Sequence, residues 1–253
     1  MVILLLGLFT VVSLGCKART CRLSPSTPLP VTAVYADEPI TVDGKLNEYI
    51  WQTAPHYELQ LGANRVLTGD AFLEKGSVQC AYDTNHFYLA IDFHDTDVVA
   101  EGQRDQLHHY QFGDVAELFL KPENAPWYWE MYVTPRGNKT VFFFPSRGRL
   151  GLPSDFNDQG WGVQVGAMVK GTLNDWKDKD KGWTAEMAVP IADLTRFGDV
   201  FGGESKWRIL ISRYNYSRYL SNVELTSLPC LSKTDFHLIE EYAVLILRQT
   251  KYK

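Results

Sequence analysis

From about Val34 onward, short runs rich in Val, Ile, Tyr, Phe and Trp recur, separated by clusters of Gly, Asp, Asn and Pro. β-Branched and aromatic residues suit a pleated, half-buried strand, and the separating residues suit tight turns. Ten strands are expected on this pattern: "ITVDG" (40–44), "GSVQCAYD" (76–83), "HFYLAIDFHD" (86–95), "VAELFL" (115–120), "WYWEMYVTP" (127–135), "TVFFFP" (140–145), "WGVQVGAMVKG" (161–171), "GWTAEMAVP" (182–190), "WRILISRYNY" (207–216) and "YAVLILR" (242–248). Helical signal is confined to "LNEYIWQ" (46–52) and "IADLTRF" (191–197). Many short strands between turn signals predict an all-β fold, a two-sheet antiparallel β-sandwich with one or two short helices. With 253 residues, 45% of them hydrophobic, the chain can bury one sizeable core. It contains no internal repeat, and no second domain boundary is visible after residue 33.

Alternation within two of these runs assigns faces. In "VAELFL", Ala116, Leu118 and Leu120 share one face, and Val115, Glu117 and Phe119 the other. In the next run Trp127, Trp129, Met131 and Val133 are apolar in step, so Tyr128, Glu130 and Tyr132 point the opposite way. If both apolar faces enter the core, Glu117, Glu130, Tyr128 and Tyr132 lie together on the outer face of one sheet. Aromatic rings cover the apolar faces of pyranoses and carboxylates accept hydrogen bonds from hydroxyls, so this outer face is a candidate sugar-contacting surface. Trp51, Trp129, Trp183 and Trp207 lie in patterns that read as core; the pattern leaves Trp127 and Trp161 undecided.

The first sixteen residues, "MVILLLGLFTVVSLGC", are apolar from Val2 to Leu14 and end in a small residue and a cysteine. That length suits a signal-peptide core better than a membrane span. "SLGC" at 13–16 resembles a bacterial lipobox, with Ser13 where Leu is usual, and would place a lipid on Cys16; the alternative is an ordinary cleaved signal peptide. Residues 17–32, rich in Pro, Ser, Thr and basic side chains, read as a linker, leaving 33–253 as the folded domain. An exported protein of the bacterial cell envelope or surface, or else a secreted one, is expected. Export permits disulfides. With Cys16 lipidated, at most one bridge forms among Cys21, Cys80 and Cys230; Cys80 with Cys230 is the expected pair because both fall inside the domain, and two unpaired buried cysteines are the alternative.

A formal net charge of −5 leaves no broad basic field for nucleic acid. No GxSxG, phosphate-binding GxGxxG, Walker loop or HExxH pattern occurs. The paired acids Glu117 and Glu130 raise glycoside hydrolysis as an alternative, but a shallow sheet face excludes water poorly, so a non-catalytic role is expected. Asp92, Asp95 and Asp97 at one strand end, and Asp178 and Asp180 in "DWKDKDKGW", are candidate calcium ligands, although ordinary solvated turn acids read the same way. The six histidines show no ligand spacing, and the His108–His109 pair reads as surface.

Several blocks, in order, resemble carbohydrate-binding module family 9 within the wider DOMON-like group of β-sandwiches. They are "ITVDGKLNEYIWQTAP" (40–55), "CAYDTNHFYLAIDFHDTDV" (80–98), "FGDVAELFL" (112–120), "YWEMYVTPRG" (128–137), "VKGTLNDWKDKDKGWTAEMAVP" (169–190), "ILISRY" (209–214) and "DFHLIEEYAVLIL" (235–247), together spanning about residues 34–249. The resemblance implies a β-sandwich, often calcium-bearing, that binds a sugar or glycan without catalysis, in some cases beside a glycan-degrading enzyme. It gives Glu117 the role of ligand-contacting acid, with Glu130 where the family has a basic or amide residue. The family's two clamping Trp side chains are absent: Gln111 and Leu228 stand in their places. Tyr110, Phe112, Tyr128 and Tyr132 are the candidate stacking residues instead, and Arg213 a candidate donor. The alternatives are a cell-surface interaction sandwich that has lost its clamp, and a haem carrier like some related sandwiches, with axial Met, His or Lys; Met131, Met168 and Met187 read as core instead.

Overall fold

The computed structural model describes residues 28–147 and 161–249. The chain is mostly β. In chain order the strands are β1 Val31–Tyr35, β2 Tyr57–Glu58, β3 Gln60–Leu61, β4 Gly76–Tyr82, β5 His86–Phe93, β6 Val115–Pro122, β7 Tyr128–Val133, β8 Lys139–Phe144, β9 Gln164–Val169, β10 Trp183–Pro190, β11 Trp207–Asn215, β12 Glu224–Leu228 and β13 Ala243–Arg248. Three short helices join them, α1 Tyr49–Thr53, α2 Ala63–Leu67 and α3 Ile191–Leu194. Among the described residues no helix is long and apolar enough to cross a membrane.

Hydrogen bonding runs continuously through the strands in the order β8-β7-β6-β11-β13-β1-β4-β5-β10-β9, with β12 beside β11 and β2 beside β4. Most pairs are antiparallel, as expected. The exception is β1, which pairs in parallel with both β13 and β4, Val31 opposite Leu245 and Ala33 opposite Cys80. β1 begins inside the stretch expected to be linker, and it joins the two halves of the sheet. The curled sheet encloses the main core on its inner face. Leu118 and Leu120 (β6), Trp129 and Met131 (β7), Ile91 and Phe93 (β5), Trp183 and Met187 (β10), and Trp207 and Ile209 (β11) meet there.

Nine of the ten expected strands form. The exception is "ITVDG", which crosses the outer face of β10 and β9 instead of pairing in a ladder. Glu186 on β10 accounts for this. Its carboxylate accepts the backbone N–H groups of Asp43 (3.1 Å) and Gly44 (3.0 Å), donors that a strand would have offered to a neighbour. It also accepts the indole N–H of Trp51 at 2.8 Å. Gly44 has φ +81°, and a Cβ there would stand 2.6 Å from the Ala167 backbone. The segment, with α1, seals the outer face of β4, β5 and β10 as Trp51, Ile40 and Val42 pack on Ala81, Tyr88 and Ala188.

Strands β1, β2, β3 and β12 fall outside the expected runs; β12 pairs with β11 and in turn with β3, while β2 pairs with β4. Met168 was expected in the core but is 37% exposed; Val165, Ala167 and Val169 take the inward face of β9. Met131 and Met187 lie fully buried in the main core with Trp129, Trp183 and Trp207, while Trp51 is buried in the outer-face cluster. Trp161 is buried too, whereas Trp127 packs at the edge and donates to Asp199. His109 is buried, contrary to the surface expectation.

The expected Cys80–Cys230 bridge does not form. Cys80 is a free thiol on β4 pointing into the main core, where burial pushes its pKa upward, while Cys230 is disulfide-bonded at the half-buried segment after β12. The inward alternation of β4 carries the Cys80 sulfur away from the sheet surface on which Cys230 sits.

Because Glu186 holds three donors from one segment, Glu186→Ala is expected to cost about 2–3 kcal/mol. Urea unfolding should show this loss, and amide exchange should accelerate selectively over residues 41–54. Unchanged exchange there would show that side-chain packing alone holds the segment.

Candidate functional site

β6 carries the expected alternation, but both of its faces are buried. Leu118 and Leu120 enter the main core. Val115 and Phe119 enter a second apolar cluster on the outer face, with Tyr128 and Tyr132 of β7, Phe142 and Phe144 of β8, and Leu210 of β11. The cover comes from the chain after β12: Leu231 and Phe236, then Tyr242, close over this face. Glu117 and Glu130 therefore do not stand on an open sheet. They are 2% and 4% exposed, in the floor of a cavity of about 610 Å³, a volume typical of ligand sites.

Register brings the acids together. Glu117 lies opposite Tyr132 of β7 on one side and Ser212 of β11 on the other; Glu130 lies opposite Phe119, the diagonal neighbour. Ser212 Oγ donates to Glu117 Oε2 at 2.7 Å. The Tyr132 hydroxyl donates to Glu130 Oε1. Glu130 Oε2 has no hydrogen-bond partner, and His237 Nε2 stands 3.9 Å from it. Burial pushes the Glu130 carboxyl up to about 7. Burial, and then the neighbouring Glu130 charge, push Glu117 well above the ordinary carboxylate range.

The walls are aromatic. Tyr110, on a 3-10 turn at His109–Gln111, meets Tyr132 edge-on at 6.4 Å and leans on Tyr214 at 5.6 Å. Tyr214 in turn meets Phe236 edge-on at 5.6 Å. Residues 233–237 form the rim, with Lys233 paired to Asp235 at 3.1 Å and His237 held neutral by burial. Asp114 anchors the Tyr110 wall: its buried carboxylate accepts the backbone N–H groups of Val99 and Tyr216, each at 2.7 Å. Gly113 is required beside it, because a Cβ there would stand 2.2 Å from the Val99 carbonyl at φ +134°.

Of the expected site residues, Glu117, Glu130, Tyr110 and Tyr132 line the cavity. Tyr128 does not: it is buried under the rim, stacked on Phe144 at 4.7 Å with its hydroxyl 2.9 Å from His237 Nδ1. Phe112 is 39% exposed and lies outside the cavity, one residue beyond the 3-10 turn. Gln111, in the place of a clamping Trp, is exposed and donates to the Tyr110 hydroxyl at 3.3 Å.

Arg213 is on the wrong face. One residue from Ser212, it points through the sheet to the other side and is 1% exposed. Its guanidinium pairs with Asp95 at 3.0 Å, donates to Asn215 and the Glu74 carbonyl, and lies over the Phe93 ring. It positions loops instead of meeting ligand.

The calcium candidates do not converge either. Asp92 pairs with Lys170, Asp95 with Arg213 and Asp97 with Arg218. The Asp178 carbonyl also accepts from Arg218, and Asp180 accepts the N–H groups of Val98 and Thr172. Among the described residues no three acids, histidines or cysteines gather to hold a metal; Asp92, Asp95 and Asp97 each face an ammonium or guanidinium group, and Asp180 is taken up by backbone N–H groups.

Sequence reasoning did not find Tyr214, Phe236, His237 or Ser212. For Tyr214 and Ser212 the signal was present: they alternate along β11 on the face that meets Glu117. For the rim there was little, because "KTDFHL" lies ahead of the strand expected at 242–248 and forms an irregular turn-rich stretch.

The fold belongs to a known class. Solved structures resemble it over nearly its whole length. A candidate carbohydrate-binding protein from Bacteroides uniformis ATCC 8492 matches with TM-score 0.64 at 14% identity, over 87% of this chain and 99% of that one. A family 9 carbohydrate-binding module from Caldicellulosiruptor kristjanssonii in complex with cellotriose matches with TM-score 0.58 at 11% identity, over 87% of this chain and 94% of that one. A family 9 module from the same organism in complex with glucose matches with TM-score 0.58 at 10% identity, over 88% of this chain and 97% of that one. The chain therefore has the fold of family 9 carbohydrate-binding modules. No family model matches its sequence, and neither does any curated protein.

Two outcomes follow from these placements. Arg213→Met strands the buried Asp95 charge and is expected to destabilise the protein by about 3–5 kcal/mol, read as a lower urea midpoint. The Glu130 carboxyl, at about 7 in the folded state against 4.5 ordinarily, holds its proton more tightly when folded. The resulting stabilisation is fully present below the ordinary value and is lost as pH rises toward 7. The stability of Glu130→Gln relative to the wild type should therefore increase between acid and mildly alkaline pH, by on the order of 2–3 kcal/mol. A gap that does not change with pH would place the Glu130 titration outside that range.

Proposed function

We propose that this protein binds a sugar or the end of a glycan in the cavity above Glu117 and Glu130, without catalysis. The carrying observation is Glu130 Oε2, a buried acceptor with no partner, in the floor of an aromatic-walled cavity. Buried polar atoms without partners are uncommon in native proteins, and a ligand donor satisfies this one. Tyr110, Tyr214 and Phe236 offer ring faces and edges to the apolar surfaces of a pyranose, and Glu117 and Glu130 accept from its hydroxyls. Solved structures of this fold include modules in complex with glucose and with cellotriose, which supports the reading.

The same geometry argues against hydrolysis. Glycosidase acids flank the scissile bond on either side. Here both carboxylates rise from adjacent strands in one floor, tied by Tyr132, and neither faces the other across the cavity. We read the curled sheet as a two-layer sandwich with this cavity on the outside of one layer. The apolar run to Leu14 and the cysteine after it support export and lipid attachment at Cys16, which would hold the module at a bacterial envelope or surface, where glycan-degrading enzymes are candidate neighbours.

A panel of neutral, amino and acidic sugars titrated calorimetrically is expected to yield at least one ligand. Tyr110→Ala should weaken that ligand by about tenfold or more, the worth of one lost stacking face. A panel with no ligand, or a ligand bound equally by Tyr110→Ala, would sink the site.

A further inference from the structure

The acids of the cavity lie in its floor, and its one ammonium, Lys233, lies at the rim. The floor presents two carboxylates, Glu117 and Glu130, both more than nine-tenths buried, with one Glu130 oxygen unpartnered. The Ser212 hydroxyl is spent on Glu117, and the Tyr132 hydroxyl on Glu130. Tyr110 and Tyr214 line the space with their rings.

Cations are kept to the rim. Lys233 is well exposed and paired with Asp235. Arg147, near the rim, is committed to Glu240 and to the His237 carbonyl. His237 is neutral, its Nδ1 engaged with Tyr128. Lys121 of β6 and Arg208 of β11 lie on the cavity face farther along their strands, Lys121 donating to the Pro122 and Glu123 carbonyls and Arg208 to the Glu123 carboxylate, while Arg213 points through the other face. Among the described residues, no ammonium or guanidinium group therefore pairs with Glu117 or Glu130 from β6, β7, β11, the 3-10 turn or the rim.

We propose that the ligand supplies that charge: the cavity selects a sugar bearing a free amine, whose ammonium group is received by Glu117 and Glu130. The proposal rests on the sugar-site reading and narrows it. An ammonium brings several donors to the floor and favours the ionised form of both buried carboxyls, which then accept from it. The surrounding rings favour a cation through their π-faces. A uronic acid would set a third carboxylate beside the first two. An N-acetylated sugar replaces the charge with a bulkier neutral amide, and a plain hexose brings neutral hydroxyl donors only.

The test titrates the full chain calorimetrically with glucosamine, glucose, N-acetylglucosamine and glucuronate at about pH 6.5, where the amine is charged. Glucosamine is expected to bind at least about tenfold more tightly than glucose, one charge-assisted bond's worth, with glucuronate weakest. Glu130→Gln and Glu117→Gln, each verified as folded by near-ultraviolet circular dichroism, should narrow that ratio to about twofold. Added salt should weaken glucosamine selectively in the wild type, which reads the charge without any variant. Glucose bound as tightly as glucosamine, or a glucosamine preference that survives in both variants and in salt, would overturn the proposal while leaving the sugar site standing. Failure of all four sugars, and of the wider panel, would remove the site itself.

Discussion

β6, β7 and β11 are buried on both faces, and the functional geometry follows from that constraint. A strand with one wet face can carry acids there at no cost. A strand covered on both sides must satisfy each of them or leave a polar atom stranded. The main core takes Leu118, Leu120, Trp129 and Met131 on one face. On the other, Phe119, Tyr128, Phe142 and Phe144 are closed over by Phe236 and Tyr242, and Glu117 and Glu130 are caught among them. Ser212 and Tyr132 satisfy part of that demand, and the unmet remainder is directed into the cavity. The site is therefore a place where the packing was left incomplete on one side.

β1 makes such double coverage geometrically available. Its parallel pairing with β13 and β4 lets one continuous ladder curl around the main core, so that each half of the sheet keeps an outer face for separate use. The two outer faces are finished differently. Over β4, β5 and β10, the 40–54 segment is drawn down by Glu186 and Trp51, and small residues such as Ala81, Ala90 and Ala188 let it lie close. Over β6, β7 and β11, large rings hold the covering chain higher, and the cavity is the space between. Two buried glutamates thus serve opposite ends, Glu186 saturated by three donors and Glu130 left short of one.

Much of this was legible from strand periodicity. Alternation in "VAELFL" and "WYWEMYV" placed Glu117, Glu130 and Tyr132 on one face, and the structure keeps them there. The ordered blocks pointed to the family 9 fold, which the solved structures bear out. Periodicity could not reveal whether that face was open, because its cover comes from an irregular stretch more than a hundred residues later. Nor could it place Arg213: a single step along β11 separates the cavity from the far side of the sheet, and without the register to β6 either side was available. The cysteine pairing failed for a related reason, since proximity within a domain says nothing about which way a strand residue points. "ITVDG" had every local mark of a strand, and a distant carboxylate took its N–H groups.

The covering stretch around Phe236 is contiguous in sequence, while the acids and most of the rings beneath it are fixed in the sheet. On the proposed reading, recognition is accordingly divided between two parts of the chain. The sheet sets what kind of chemical group is demanded at the bottom, and changing it disturbs both apolar clusters at once. The stretch from Leu231 to Leu238 sets the size and outline of what is admitted, and it is tied down mainly by Tyr242, by Tyr128 through His237, and by the Ser232–Glu241 and Arg147–Glu240 contacts. On the proposed reading, a change within that short passage would alter the outline of the opening while Glu117 and Glu130 stay fixed by the register of β6, β7 and β11.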